Sequence, residues 1–312
     1  MGKQYVNQHI VPKRYLDRFA SHVDGKNIIR TRYYVKDKPK FFPASTSDVG
    51  YIKNFYDVTD KDDPKYWEHF FANEIDTLCG AEMENIISAA TLGNNNSAVL
   101  TDHAIEVLAK IIVAQMMRIP SSFDHVKGIY PRIEKEVKEQ VLSIIPTSLM
   151  SKYESKIKEI SFDEQWQKEQ FLNHSFDQVN FDRYCRLLQD RIWVVYVNTL
   201  HPVIPFVTSD NPVLVEGVGT SEIGLFHNGL ANPATCIFYP LSPAIAVASY
   251  SKRGIVGVAK DNLDRRKVLL DEYKFILYKD CKIMEQAYHH SFIPQIFYDE
   301  IMKDEEKKSS LE

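Results

Sequence analysis

Apolar residues recur along this chain with two different periods, and the change from one to the other falls at Arg191. Upstream, Asp62-Asp63-Pro64 has the character of a helix start, and Phe71, Ile75, Leu78, Ile86 and Ala89 follow at helical spacing as far as Gly93. Thr101-Asp102 opens a second helix that runs through AIEVLAKIIVAQMMR and stops at Pro120. From Ser121 to Gln189, lysine, glutamate and leucine continue at helical spacing, predicting several shorter helices broken at Pro131 and Pro146. After Arg191 the pattern changes to β-branched and aromatic runs, IWVVYVNT, VIPFVTSDNPVLV and CIFYPLSPAIAVASY, bounded by Pro, Gly and Asn turns. These predict a mostly antiparallel sheet, followed by a last helix around Phe275 to Tyr288.

The N-terminal segment reads differently. Pro12 stands at a natural first helical position, with Tyr15, Leu16 and Phe19 behind it, so His9 falls just ahead of a short helix. Asp24-Gly25 is a turn, and Ile28 to Val35 is a strand expected to join the later sheet. Helices gathered early and strands gathered late indicate an α+β fold rather than a βαβ repeat. A single domain is expected over residues 1–300, helix-rich at 64–190 and strand-rich at 191–250, with a charged tail at 301–312. EGVGTSEIGLFHNGLANPAT, a long glycine-dotted connection between strands, is the sort that borders a site.

Two places break the pattern. Along the helix from Thr101, the apolar face runs through Ala104, Leu108, Ile111 and Ile112, and continuing by threes and fours reaches Gln115 and then Arg118. A buried arginine needs an acid or an anion, because stripping water from its charge costs several kcal/mol, roughly. Glu82, central on the preceding helix face, or another carboxylate is the expected protein partner. The second place is Thr208-Ser209-Asp210-Asn211-Pro212, directly after the apolar IPFV. Its residue types suit a tight turn, and a strand end is also where site carboxylates are commonly held. Leu241-Ser242-Pro243 offers a hydroxyl in a similar position.

Composition narrows the chemistry. With 44% hydrophobic and 26% charged residues, the chain is of the ordinary globular type. A formal net charge of -4 supplies no overall basic field toward nucleic acid or anionic lipid, so any phosphate-binding surface is local. Cys79, Cys185, Cys236 and Cys281 lack CxxC spacing, which argues for reduced thiols in a cytoplasmic setting. MGKQYVNQHIVPK lacks a signal-peptide apolar region, and no run approaches the roughly 18 apolar residues of a membrane span. There is no P-loop, no GxGxxG and no GxSxG elbow.

In order along the chain, QHIVPKRYLDRF, NFYDV, QMMRIP, PFVTSDNPV and IFYPLSP resemble the domain of unknown function 4238 family. The resemblance spans Gln8 to about Pro294 and implies a bacterial or phage origin, but no activity. It also implies that His9, Arg118 and Asp210, at the family's recurring polar positions, form one site. A histidine that moves protons, a carboxylate that orients it and an arginine that clamps an anion suit phosphodiester hydrolysis of nucleic acid or nucleotide. His9, Arg118 and Asp210 are the candidate catalytic residues, with Gln8, Lys13, Gln115, Ser209 and Asn211 as substrate-binding candidates. No cofactor is expected; if a divalent ion takes part, His9, Asp210 and Glu82 suit magnesium or manganese. The alternative is a binding or sensor protein in which the same cluster is a buried structural network. In that case the charged helices within 121–190 are the candidate protein-docking faces, and no membrane contact is expected.

Overall fold

The protein is described by a computed structural model covering residues 7–35, 38–217, 229–254, 262–295, 297–300 and 302–303. Most of the glycine-dotted connection and nearly all of the charged tail lie outside the described residues. The α+β class is observed.

The chain opens with β1 (Asn7–His9), α1 (Lys13–Leu16), β2 (Ser21–Val23), β3 (Lys26–Val35), β4 (Lys38–Ser45) and β5 (Tyr51–Lys53). Asp24 and Gly25 both adopt positive φ, 48° and 74°, the backbone required by a tight hairpin between β2 and β3. Gly50 has a structural reason of its own. At φ 67°, its carbonyl accepts from Ile10 N and Val11 N at 2.9 and 3.2 Å, and an added Cβ would meet Leu16 Cδ1 at 2.9 Å.

Helices follow: α2 (Tyr66–Phe70), α3 (Ala81–Leu92), α4 (Asp102–Met117), α5 (Pro120–Lys127), α6 (Tyr130–Ile144), α7 (Thr147–Lys158), α8 (Glu164–Ser175) and α9 (Gln178–Gln189). The helix expected from Pro64 to Gly93 is interrupted. A wide turn at Phe71–Ile75 ends α2, and α3 starts afresh after Gly80. Asp76 lies in that break. Thr101 caps α4 by accepting from Ala104 N at 3.1 Å. α4 is buried around nearly its whole circumference, from Ala104 to Gln115, so it is the central helix.

The second half contains β6 (Arg191–Asn198), β7 (Thr208–Ser209), β8 (Leu214–Gly217), β9 (Thr235–Ser242), β10 (Ile245–Ser251), β11 (Arg266–Leu270), α10 (Tyr273–Glu285) and β12 (His290–Ile293). One sheet has the order β11-β6-β10-β9-β8, antiparallel except for the parallel β11–β6 pair. Alternation along its strands faces Trp193, Val195, Ile237, Tyr239 and Val247 to the helical core. Cys236, Phe238, Ala246 and Ala248 face the other way, onto Ile276 and Ile283 of α10. The expectation that the strand near Ile28 joins this sheet is incorrect: β3 pairs with β2, β4 and β12, and β12 pairs with β7. The C-terminal strand competes for β3, a long-range pairing that no local pattern announces.

Within the second core, Asp280 is buried at 2% exposure, and its one hydrogen bond is accepted from Val207 N at 3.0 Å. Burial pushes its pKa up to about 7, against the opposing pull of that bond. The folded chain therefore retains a proton that the unfolded chain releases above about pH 4. Its stabilising contribution is complete below pH 4 and is lost as pH rises through about 7. Between these limits stability should fall by up to roughly 1.4 kcal/mol per pH unit from this group. Asp280→Asn keeps an oxygen for Val207 N and should flatten that slope in urea titrations at pH 4.5 to 7.5; an unchanged slope would refute the assignment.

Candidate functional site

Arg118, at the end of α4, is 1% exposed, and all three of its guanidinium nitrogens donate. Nη1 meets Asp76 Oδ1 at 2.5 Å, Nη2 meets the His9 carbonyl, and Nε meets Tyr56 Oη at 3.3 Å. The Phe71 ring covers the guanidinium, its centroid 4.4 Å from Cζ. Tyr56 returns its hydroxyl proton to the Arg118 carbonyl at 2.8 Å. Burial alone would lower the arginine's pKa, but Asp76 and then Tyr56 outweigh it and hold the charge in place. Of the carboxylates expected to neutralise Arg118, the partner is Asp76 and not Glu82, which pairs with exposed His103 at 3.2 Å. The break between α2 and α3 is the reason, because it puts Asp76 where a continuous helix would have offered Glu82.

The N-terminal segment is fixed by the same group of residues. Gln8 donates to Asp57 Oδ1 at 2.7 Å and accepts from Tyr56 N at 2.5 Å, and Gln115 donates to the Ile10 carbonyl at 2.9 Å. Tyr15 Oη lies 2.7 Å from Thr208 Oγ1 and donates to the Pro240 carbonyl at 2.8 Å. With its one proton committed to Pro240, Tyr15 must accept from Thr208. β1 and α1 are thus pinned to α4 on one side and to the sheet on the other.

His9 is half-buried and makes a backbone hydrogen bond with Thr46, yet Nε2 is buried with no partner. Burial first, and then the charge of Arg118, lower its pKa against the pull of Asp76. Glu68 shares these neighbours, and its Oε2 is also buried and unpartnered. Burial raises the Glu68 pKa; Arg118 opposes and Asp76 adds to the rise. An imidazole biased toward its neutral form and a carboxyl biased toward its protonated form therefore both interact with one ion pair. Glu68 has no signal in the sequence beyond a charge near a helix start, and Asp76 none beyond the break it occupies.

Asp210 does a different job. Its carboxylate accepts from three successive backbone amides, Tyr288 and His289 at 2.7 Å and His290 at 2.8 Å. Its own N–H donates to the His290 carbonyl at 2.9 Å. Among the described residues, no hydrogen bond or ion pair joins Asp210 to His9 or Arg118, so the expected three-residue cluster divides in two. The physical reason is β7: pairing with β12 directs Asp210 toward the turn before that strand. That turn lines a cleft of about 530 Å³ with Arg32, Tyr33, Tyr288 and His289.

A model of a protein family of unknown function, DUF4238, matches residues 7–268. The chain belongs to the DUF4238 family. No curated protein and no solved structure matches it. The DUF4238 segments QHIVPKRYL, NFYDV and QMMRIP meet in the Arg118 network, whereas TSDNP and the PLSP strand meet Tyr15 through Thr208 and Pro240.

The remaining candidates in this DUF4238 chain are also engaged. Lys13 pairs with Asp17 at 2.9 Å, Ser209 Oγ accepts from Asn211 N at 3.1 Å, and Asn211 donates to the Gln286 carbonyl at 3.1 Å. Among the described residues, no three His, Cys, Asp or Glu side chains are arranged to hold a metal ion, and His9, Asp210 and Glu82 go to separate partners. No described helix is long and apolar enough to cross a membrane. The faces of α6 and α7 bear i,i+4 ion pairs such as Arg132–Glu136 and Lys158–Glu154, the pattern of solvated helices.

Proposed function

We propose that this protein is a binding or sensor protein in which Arg118, Asp210 and the glutamines around them are architectural. The observation that carries this reading is the closure of the Arg118 network. A phosphate clamp needs a guanidinium edge open to ligand, and here, although two of the five N–H groups are unused, the Phe71 ring covers the face and the group is 1% exposed beside Asp76. The Asp210 carboxylate is likewise committed to backbone amides.

One observation favours a second reading, a phosphodiester hydrolase working through His9. The buried, unpartnered Nε2 of His9, whose pKa burial lowers, and Glu68, whose pKa burial raises, both feel the Arg118–Asp76 pair, as a base and an acid working at one ion pair would. Assays of wild type, His9→Ala and His9→Gln against RNA, single-stranded and duplex DNA and cyclic dinucleotides, with and without magnesium or manganese, distinguish the two. The binding reading expects no turnover in any of them. Turnover in wild type that both variants lose, with their melting temperatures preserved, would replace it with the hydrolase.

A further inference from the structure

A second buried arginine poses the question that Arg118 answers, and answers it differently. Arg191, the first residue of β6, is 4% exposed, and every group it touches is neutral. Nε donates to Ser249 Oγ at 2.8 Å, Nη1 to the Leu230 carbonyl at 3.0 Å, and Nη2 to the carbonyls of Thr235 and Ser249. Among the described residues, the other cations buried as deeply are compensated. Arg118 has Asp76, Lys279 has Glu216, and Lys267 donates to the Thr91 and Gly93 carbonyls at the negative end of α3. Among the described residues, Arg191 has no carboxylate. Four of its five N–H groups are used, which leaves one on Nη1.

The surroundings repeat the imbalance. Arg191 lines a cleft of about 490 Å³ with Arg183 and Arg186 from α9 and Lys252 and Arg253 from the turn after β10. Arg183 and Arg186 stand three apart on one helix face, both exposed and outside the described ion pairs. Among the described residues the acid in the lining is Asp190, which pairs with Lys252. Among the described residues, five cations thus line the cleft with one carboxylate in a chain whose net charge is -4, a local excess of positive charge that a bound anion would relieve. Leu187, Leu230 and Ala231 supply an apolar wall to the same cleft.

We propose that this cleft binds a small phosphate ester of nucleotide size. Its phosphates sit among Arg183, Arg186, Lys252 and Arg253, and its organic part lies on Leu187, Leu230 and Ala231. Arginine forks provide bidentate grip on phosphate oxygens, and Arg191 adds a fixed positive charge beneath them. Burial, opposed by Cys236, lowers the Arg191 pKa, and a bound anion would raise it again. The cleft is of a size that buries most of a small ligand.

The proposal deepens the binding reading above and rests on it. Isothermal titration with ADP, AMP, adenosine and inorganic phosphate tests it on the full chain. Saturable binding is expected for ADP, weaker binding for AMP and phosphate, and none for adenosine. Arg183→Ala with Arg186→Ala should weaken ADP at least about tenfold while leaving the ligand-free melting temperature unchanged or raised, since both side chains are exposed and their removal relieves repulsion. Arg253→Ala should weaken it in the same direction. Absence of saturable ADP binding, or binding that the double variant leaves intact, would overturn the proposal. So would tight binding of a 12-mer RNA through these arginines without any for ADP, because the ligand would then be a strand. Turnover lost in His9→Ala would remove the binding reading without altering the ADP titration, so the two failures are distinguishable.

Discussion

Arg118→Met is expected to destabilise the protein by about 3 to 5 kcal/mol, because it removes one partner of a buried ion pair and opens three hydrogen bonds at once. Asp76, with its side chain 25% exposed, can recover part of its loss from water. Tyr56 Oη cannot, because Tyr56 is fully buried and methionine fills the space without donating, and the His9 carbonyl loses its guanidinium donor as well. Arg118→Lys keeps the charge beside Asp76 but has a single nitrogen to serve acceptors that three nitrogens now reach, so an intermediate loss is expected. Urea denaturation of both variants gives these values, and melts with 10 mM phosphate separate structure from ligand binding. If Arg118 is architectural, any stabilisation of wild type by the anion should persist in Arg118→Lys. Loss of that stabilisation, together with a destabilisation below about 1 kcal/mol in Arg118→Met, would reinstate the phosphate clamp.

Arg118 also shows how far the sequence can be read. Counting by threes and fours along α4 locates an inward arginine, and the cost of burying it says that an acid must be near. Which acid is near is a different kind of question. Glu82 has the right face of an ideal helix, but the wide turn at Phe71–Ile75 breaks that helix and delivers Asp76 instead. A local rearrangement of five residues decides the pairing, and no propensity marks it strongly enough to see beforehand. The same division holds for the sheets. Alternation at β6, β9 and β10 is visible because each strand separates two cores, whereas the pairing of β3 with β12 depends on residues more than 250 positions apart. The Arg191 cleft was hidden for a third reason. Arg183, Arg186, Lys252 and Arg253 look like ordinary surface charges in their own segments, and only the end of α9 meeting the β10 turn makes them one field.

Asp210→Ala is expected to cost about 3 to 5 kcal/mol through a different mechanism, the simultaneous loss of one acceptor shared by three backbone amides. A hydrogen bond to a charged group contributes roughly 1.5 to 3 kcal/mol, and water entering beside the exposed Tyr288 and His289 recovers part of the sum. Asp210→Asn keeps one carbonyl oxygen and should lose about half as much. Hydrogen exchange should follow the same order, with protection at Tyr288, His289 and His290 lost in the alanine variant and reduced in the asparagine variant. A loss below about 1 kcal/mol with unchanged protection would contradict the capping role. Combining Asp210→Ala with Arg118→Lys then tests the division of the expected site. Two separate networks should give additive losses within about 0.5 kcal/mol, whereas a single shared cluster should show coupling between about 0.5 and 3 kcal/mol. Coupling in that higher range would mean that β7 transmits strain from Thr208 and Tyr15 back to the N-terminal segment, and the two halves would again have to be treated as one site.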